Sequence, residues 1–365
     1  MMGPLAGLRV VEIASLGPGP FCAMMLADLG AEVLRVERPG GSDRSLTRGR
    51  PVVTVDMKDS AGVQFVLRLA ERADVLIEGF RPGVAERLGI GPDACRTVNP
   101  ALVYGRMTGW GQEGPRATMA GHDINYIAMS GTLGAIGREG EPPTPPLNLL
   151  GDFAGGGLLL AYGVMAALFE RQSSDEGQVV DAAMVDGAAI LATMVHEMSA
   201  AGTWLTPRGS NLLDGGAPFY DVYATADGGW MTVGAIEPQF FAELVSATGI
   251  DFDLDRQYDR EAWPGLRSAL AAVFASKSRA AWEETFAGTD ACVAPVLDFA
   301  EAANHAANRD RGVFVEVDGA VVPAPAPRFS RTPASTPGAG GGHPDLRAWG
   351  FSRTEIDELA TAGIG

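Results

Sequence analysis

Lysine is almost absent from this chain: of its 28 basic residues only Lys58 and Lys277 are lysines, and the rest are arginines. Set against 45 acidic residues, they leave a formal charge of −17, so a nucleic acid would meet a repulsive field. DNA and RNA are excluded as expected partners, and any anionic ligand has to be held by a few local arginines. Cysteine is scarce too. Cys22, Cys95 and Cys292 are odd in number, far apart and each set in apolar sequence, which predicts buried thiols in a reducing compartment. The four histidines, His122, His196, His305 and His343, share no metal-ligand spacing with them, so no metal is expected. The chain does not open with a basic segment followed by an apolar one. Its most apolar run, residues 154–169, is shorter than the ~20 residues needed to span a bilayer. A cytoplasmic protein with no membrane span is expected.

What is present is enough apolar material for a large core. At 365 residues, 46% hydrophobic and 20% charged, the chain fits a large domain plus a smaller one. Short β-branched runs alternate with helical patterns from the start. GLRVVEIA, AEVLRVER, VVTVDM, DVLIEGF and residues 101–107 read as strands, with helices over 20–29 and 61–73. That alternation predicts a Rossmann-like α/β domain, a parallel sheet with helices on its faces. Between Trp110 and Gly157 the chain is rich in glycine and proline, which predicts a long irregular segment of the kind that carries function. Long apolar helices are expected over 154–170 and 182–201, separated by the short strand QVVDA. The stretch APFYDVYATADGGWMTVGA reads as two antiparallel strands joined at an Asp-Gly turn, followed by helices over 237–248 and 263–286 and the strand CVAPVL. The implied division is a large domain over 1–200 completed by 325–365, a linker at 201–214, a small α+β domain over 215–312 and a return linker at 313–340. A short polar helix is expected at 351–359.

The first strand-to-helix turn, Gly17-Pro18-Gly19-Pro20-Phe21-Cys22, begins like a dinucleotide fingerprint, but Cys22 stands where the third glycine belongs. The second strand ends in Glu37-Arg38, and Arg38 reads either as a phosphate contact, as on NADP or coenzyme A, or as a plain surface charge. In AGHDINY a single histidine, His122, sits beside Asp123 in the irregular segment, where imidazole can serve as an acid or base near neutral pH. Asp152, in NLLGDFAGGG, reads as a helix N-cap, and the backbone N–H groups of that helix start could stabilise a developing oxyanion. Glu237 precedes a proline at a helix start and reads equally as a dipole partner or a functional carboxylate. Asp186, His196 and Glu197 read as the wetter face of a helix.

These motifs, together with GPGPFCAMMLADLGA, VLIEGFRPGV, MTGWGQ, GQVVDAAMVDG and TDACVAPVL, resemble the family III CoA-transferase superfamily and, within it, the alpha-methylacyl-CoA racemase branch. The likeness runs from GLRVVEIA to APRFSRTP. It implies interconversion of (2R)- and (2S)-2-methylacyl-CoA thioesters through an enolate, with no cofactor beyond the coenzyme A of the substrate. It places the two catalytic bases at His122 and Asp152, and at Glu237 the carboxylate paired with the histidine. Contacts to coenzyme A carry over to Arg38, to Val55, Asp56, Met57 and Lys58, to Arg81 and Arg87, and to Gly121, Asp123, Ile124, Asn125 and Tyr126. The resemblance further implies an interlocked homodimer with sites shared between chains. Within the same fold the alternative is CoA transfer with Asp152 as nucleophile, and GAIEPQF in place of a glycine run favours the racemase. An NADP oxidoreductase is the alternative of another class, and the broken fingerprint counts against it.

Overall fold

The computed structural model describes residues 3–41, 46–361 and 363–364. The chain divides into two compact units, one formed by residues 1–130, 146–192 and 310–365 and the other by 131–145 and 193–309.

In the first unit six strands form one sheet: β1 (Arg9–Ile13), β2 (Glu32–Glu37), β3 (Val52–Thr54), β4 (Val75–Glu78), β5 (Val103–Thr108) and β6 (Val179–Ala183). Their order is β3-β2-β1-β4-β5-β6, and every neighbouring pair is parallel. A parallel sheet is covered on both faces, and successive residues of β1 accordingly enter opposite cores. Val11 and Ile13 pack with Leu34, Phe65, Leu69 and Leu76, whereas Val10 packs with Leu26, Val33, Val103 and Leu160. The strand order reverses between β1 and β4, so the loops after these two strands diverge and leave a crevice at their carboxyl ends.

Charge is also buried inside this sheet. Glu12 of β1 accepts from Arg50 at 2.8 Å and from Arg35, and Arg35 reaches Glu37 at 2.7 Å. Glu12, Arg35, Glu37 and Arg50 are all buried, so each charge is held by an opposite one where water cannot solvate it.

Several sequence expectations shift here. The irregular 110–157 segment contains a helix, Asp123–Met129, whose start is fixed by Asn125 Oδ1 accepting the His122 N–H at 3.0 Å. The helix expected from residue 154 begins earlier, with a π-helical stretch Leu149–Leu158 that runs on into the α-helix Leu159–Ser174. Its glycines 155–157 are there for packing: a Cβ on Gly157 would lie 2.7 Å from the Phe21 ring and one on Gly156 3.0 Å from Met184. The combined helix is 26 residues, long and apolar enough to cross a membrane by length and composition. Its inward side, including Leu160, Val164 and Leu168, belongs to the core beneath the sheet. The helix expected over 182–201 ends at Leu191, and Thr193–Ala200 is a separate helix of the other unit.

The expected linkers are corrected too. Residues 201–214 fall inside the second unit, as do 131–145, and the return segment contains a hairpin, Phe314–Val317 with Ala320–Pro323. The glycine-rich run beyond it is tied to the sheet edge: Gly49 and Val52 donate to the carbonyls of Gly338 and Gly342, and Gly341 donates to Arg50, each at 2.9 Å. Trp349 and Phe351 of the C-terminal segment are then buried in the core with Phe65 and Leu69, and a helix closes the segment at Arg353–Thr361.

The second unit carries an antiparallel sheet of β7 (Tyr220–Ala224), β8 (Trp230–Gly234) and β9 (Val293–Pro295), in that order. Alternating burial along β7 sends Asp221 and Tyr223 inward. Its core is aromatic, with Phe219, Phe241, Trp263, Phe274, Trp282 and Phe286. The helix expected over 263–286 is two helices, Trp263–Phe274 and Arg279–Phe286, because Ser278 caps the second by accepting from the Ala281 N–H. Cys292, expected to be buried, is exposed and itself adopts a backbone φ of 53°.

Candidate active site

The crevice at the switch point holds two cavities. The first, of about 380 Å³, is lined by Leu16, Gly17 and Pro18 after β1, Gly79 to Pro82 after β4, and Met107 to Trp110 at the end of β5. Gly121, His122, Tyr126, Asp152 and Met184 also line it. The second, of about 360 Å³, lies at the ends of β1 and β2, where Arg35, Glu37, Arg38, Gly40, Gly41 and Met57 line it. Leu16 and Phe80 belong to both walls, so the two cavities adjoin.

His122 and Asp152 are thus brought to one cavity from positions thirty residues apart. His122 is exposed on the residue preceding helix Asp123–Met129, and Asp152 is half-buried in the first turn of the π-helical stretch. Asp123 joins the two segments: its Oδ2 accepts the N–H of Gly151 at 2.5 Å and of Asp152 at 2.7 Å. Asn148 Nδ2 donates to Asp152 Oδ2 at 3.1 Å. Burial raises the Asp152 pKa, the Asn148 hydrogen bond opposes that rise, the Asp123 charge adds to it and His122 opposes it. An aspartic acid in this setting holds its proton more readily than one in water.

Two sequence readings of this site are revised. Asp152 lies inside its helix rather than capping it, and the N–H groups of Gly151 and Asp152 are committed to Asp123, so neither is free for an oxyanion. Asp123, expected against coenzyme A, is 5% exposed, and Val55, expected there too, is 1% exposed with its side chain in the core. Tyr126 is also mostly buried, edge-on to Trp110 at 4.7 Å, but its ring reaches the first cavity. Arg81 lines the first cavity, and Arg38 and Met57 line the second. Asp56, Lys58, Arg87, Ile124 and Asn125 line neither. The Asp56 carboxylate accepts the Lys58 N–H in a local turn, and Asn125 caps its own helix.

The Arg38 guanidinium has no hydrogen-bond or ion-pair partner among the described residues, which leaves it open to an anion. The helix start below it is unsuited to a dinucleotide. The helix Pro18–Asp28 has prolines at its first and third positions, so two of the N–H groups that would meet a pyrophosphate are missing, and Cys22 is fully buried.

Sequence reasoning missed Glu78 at the end of β4. It is buried, bonded to Arg106 at 3.0 Å, and accepts the Phe80 N–H at 2.6 Å, so it shapes the wall shared by the two cavities. Burial pushes its pKa up to about 7. The signal available was a lone carboxylate ending the apolar strand VLIE.

In the second unit Glu237 precedes Pro238, the first residue of the helix Pro238–Thr248. It is exposed, and its carboxylate has no hydrogen-bond partner among the described residues. Asp186 lies in the first unit, and His196 and Glu197 in the second.

A parallel sheet thus carries a histidine, an aspartate and an exposed arginine at its switch point, and comparison with known proteins places the chain in a family. Residues 5–341 match the model of CoA-transferase family III, and the chain belongs to that family. Alpha-methylacyl-CoA racemase of Mus musculus is 50% identical over 97% of this chain and 96% of its own length. The racemase of that name from Homo sapiens is 48% identical over the same shares. Among solved structures, Rv3272 of M. tuberculosis is 29% identical with a TM-score of 0.76, covering 93% of this chain and 98% of its own.

Proposed function

We propose that this protein racemises 2-methyl-branched acyl-CoA thioesters at C2, using His122 and Asp152 as the two bases. The observation that carries the reading is that a histidine and a carboxyl group with a raised pKa line one cavity, in a chain half identical to racemases of that name. A thioester α-proton is weakly acidic, so removing it requires a positioned base, and inverting the centre requires an acid on the opposite face. For one epimer His122 takes the proton and protonated Asp152 returns one to the other face; for the other epimer the roles reverse. Asp152 suits both roles because burial favours its neutral form without excluding the charged one. The chemistry needs only these side chains and the thioester, with no external cofactor.

Coenzyme A is proposed to lie across both cavities, its phosphates at Arg38 and its thioester at His122 and Asp152. Charge-assisted hydrogen bonding to a phosphate would satisfy the free Arg38 guanidinium. Glu237 is proposed to hold the tautomer of His122 and stabilise its imidazolium form, acting from a partner chain in a homodimer. An apolar stripe supports self-association: Leu158, Tyr162, Met165 and Phe169 recur every three to four residues on one long helix, and Tyr162 and Phe169 are 74% and 75% exposed. The free thiols suit a reducing compartment, the cytoplasm.

The test is incubation of the purified protein with a single (2R)-2-methylacyl-CoA in D₂O, with no added acceptor. Both epimers should appear, each carrying deuterium at C2. If C2 keeps its hydrogen, and in a parallel incubation with an added carboxylic acid CoA moves to that acid, the transferase reading replaces this one. The dimer is tested by co-expressing Glu237→Gln and His122→Ala chains with separate tags. The purified heterodimer should recover up to half the wild-type activity if His122 and Glu237 of one site come from different chains, and none if they come from the same chain.

A further inference from the structure

Asp123 follows directly after His122, yet its carboxylate is turned away from solvent and spans to the other catalytic segment. Oδ2 accepts two backbone N–H groups, those of Gly151 and of Asp152 itself. Oδ1 is buried and has no hydrogen-bond partner among the described residues. A buried carboxylate oxygen without a partner is costly, so an alternative without that cost would displace this arrangement unless the side chain served the site. The approach also constrains the sequence on the far side: a Cβ on Gly151 would fall 2.7 Å from Asp123 Oδ2, which only glycine avoids.

We infer that Asp123 is a positioning residue for the reaction, fixing the Asp152 carboxyl relative to His122 by capping the backbone of residues 151 and 152, and that its carboxylate makes no contact with coenzyme A. This rests on the racemase reading above and departs from the ligand contact that the family resemblance implies at this position. The physical basis is local. The first N–H groups of a helix lack partners within it, and here one side chain satisfies two of them. Because that side chain grows from the residue beside His122, the two bases move as one body. The spacing of an acid and a base across a reacting carbon tolerates little error, since a displacement of about 1 Å can cost on the order of 10²-fold in rate. The negative charge of Asp123 also favours the protonated form of Asp152, in keeping with the geometry.

The two roles separate kinetically. A contact to coenzyme A would appear in KM, whereas positioning of the acid appears in kcat. With a single (2R)-2-methylacyl-CoA as substrate, Asp123→Ala should lower kcat about 10²-fold and leave KM within about threefold of wild type. Asp123→Asn keeps an acceptor oxygen for both N–H groups and should recover kcat to within about tenfold of wild type. Gly151→Ala attacks the same link from the other side with Asp123 intact, and should reproduce the Asp123→Ala pattern. A raised KM with kcat preserved in Asp123→Ala would overturn the inference in favour of a coenzyme A contact. Wild-type kcat in Gly151→Ala would overturn it as well, and that variant decides the matter if Asp123→Ala does not fold. If the wild-type protein itself fails to exchange C2, it is the racemase reading that falls.

Discussion

The two cavities at the end of the parallel sheet adjoin through Leu16 and Phe80 but are built differently. Around His122 and Asp152 the chain is locked: a buried aspartate caps the Asp152 helix, and a Cβ on Gly17 would come within 3.3 Å of Asp152 Oδ2. Around Arg38 the lining rests on the buried Glu12–Arg35–Glu37 charges, but the arginine itself is exposed and free. On the proposed function, the difference separates chemistry from grip. Geometry has to be exact to within fractions of an ångström where a proton moves, whereas a flexible guanidinium can follow a phosphate. Changes in the first cavity should therefore appear in kcat, and changes in the second in KM.

The largest effect is expected from removing either base. His122→Ala and Asp152→Asn should each lower racemisation kcat by about 10²- to 10⁴-fold with KM little changed, measured by chiral analysis of the product. A raised KM as the main effect would erase the contrast between the cavities. Arg38→Ala should act in the opposite sense, raising KM by a factor corresponding to about 1.5–3 kcal/mol while kcat holds. A pantetheine thioester, which lacks the nucleotide, should be nearly indifferent to that change. Equal losses on both substrates would make Arg38 a support of the fold. The smallest effect is expected from Asn148→Ala. Removing the donor to Asp152 Oδ2 withdraws stabilisation of the charged carboxylate, so its pKa rises further. With the epimer whose proton Asp152 removes, for which Asp152 must be ionised, the acid limb of the kcat/KM profile should then move to higher pH. A limb moving to lower pH would contradict the role of that hydrogen bond.

Much of the scaffold is legible in sequence because parallel strands buried on both faces read as continuous apolar runs, as in RVVEI and VLIE. His122 and Asp152 stand out by residue type in glycine-rich surroundings. What does not show is pairing across distance. Nothing local in GHDIN announces that Asp123 caps residues 151 and 152, and the glycine run after Asp152 suggests free N–H groups when it serves close packing against Phe21 and Met184. The Pro- and Gly-rich stretch after Pro323 reads as a linker because its hydrogen bonds are made to residues 49–52, nearly three hundred positions earlier. Helix ends set by one capping side chain, such as Ser278, are equally hidden inside an apolar helical pattern.

The central claim is that His122 and Asp152 serve opposite faces of one carbon. It is tested most directly by following solvent deuterium into C2 of each pure epimer in the His122→Ala and Asp152→Asn proteins. Each variant should retain exchange mainly on the epimer whose proton faces the surviving base, so the two proteins should show opposite preferences while racemisation in both falls to its residual rate. Exchange of both epimers at wild-type rates in either variant would contradict the two-base account and remove that residue from the chemistry.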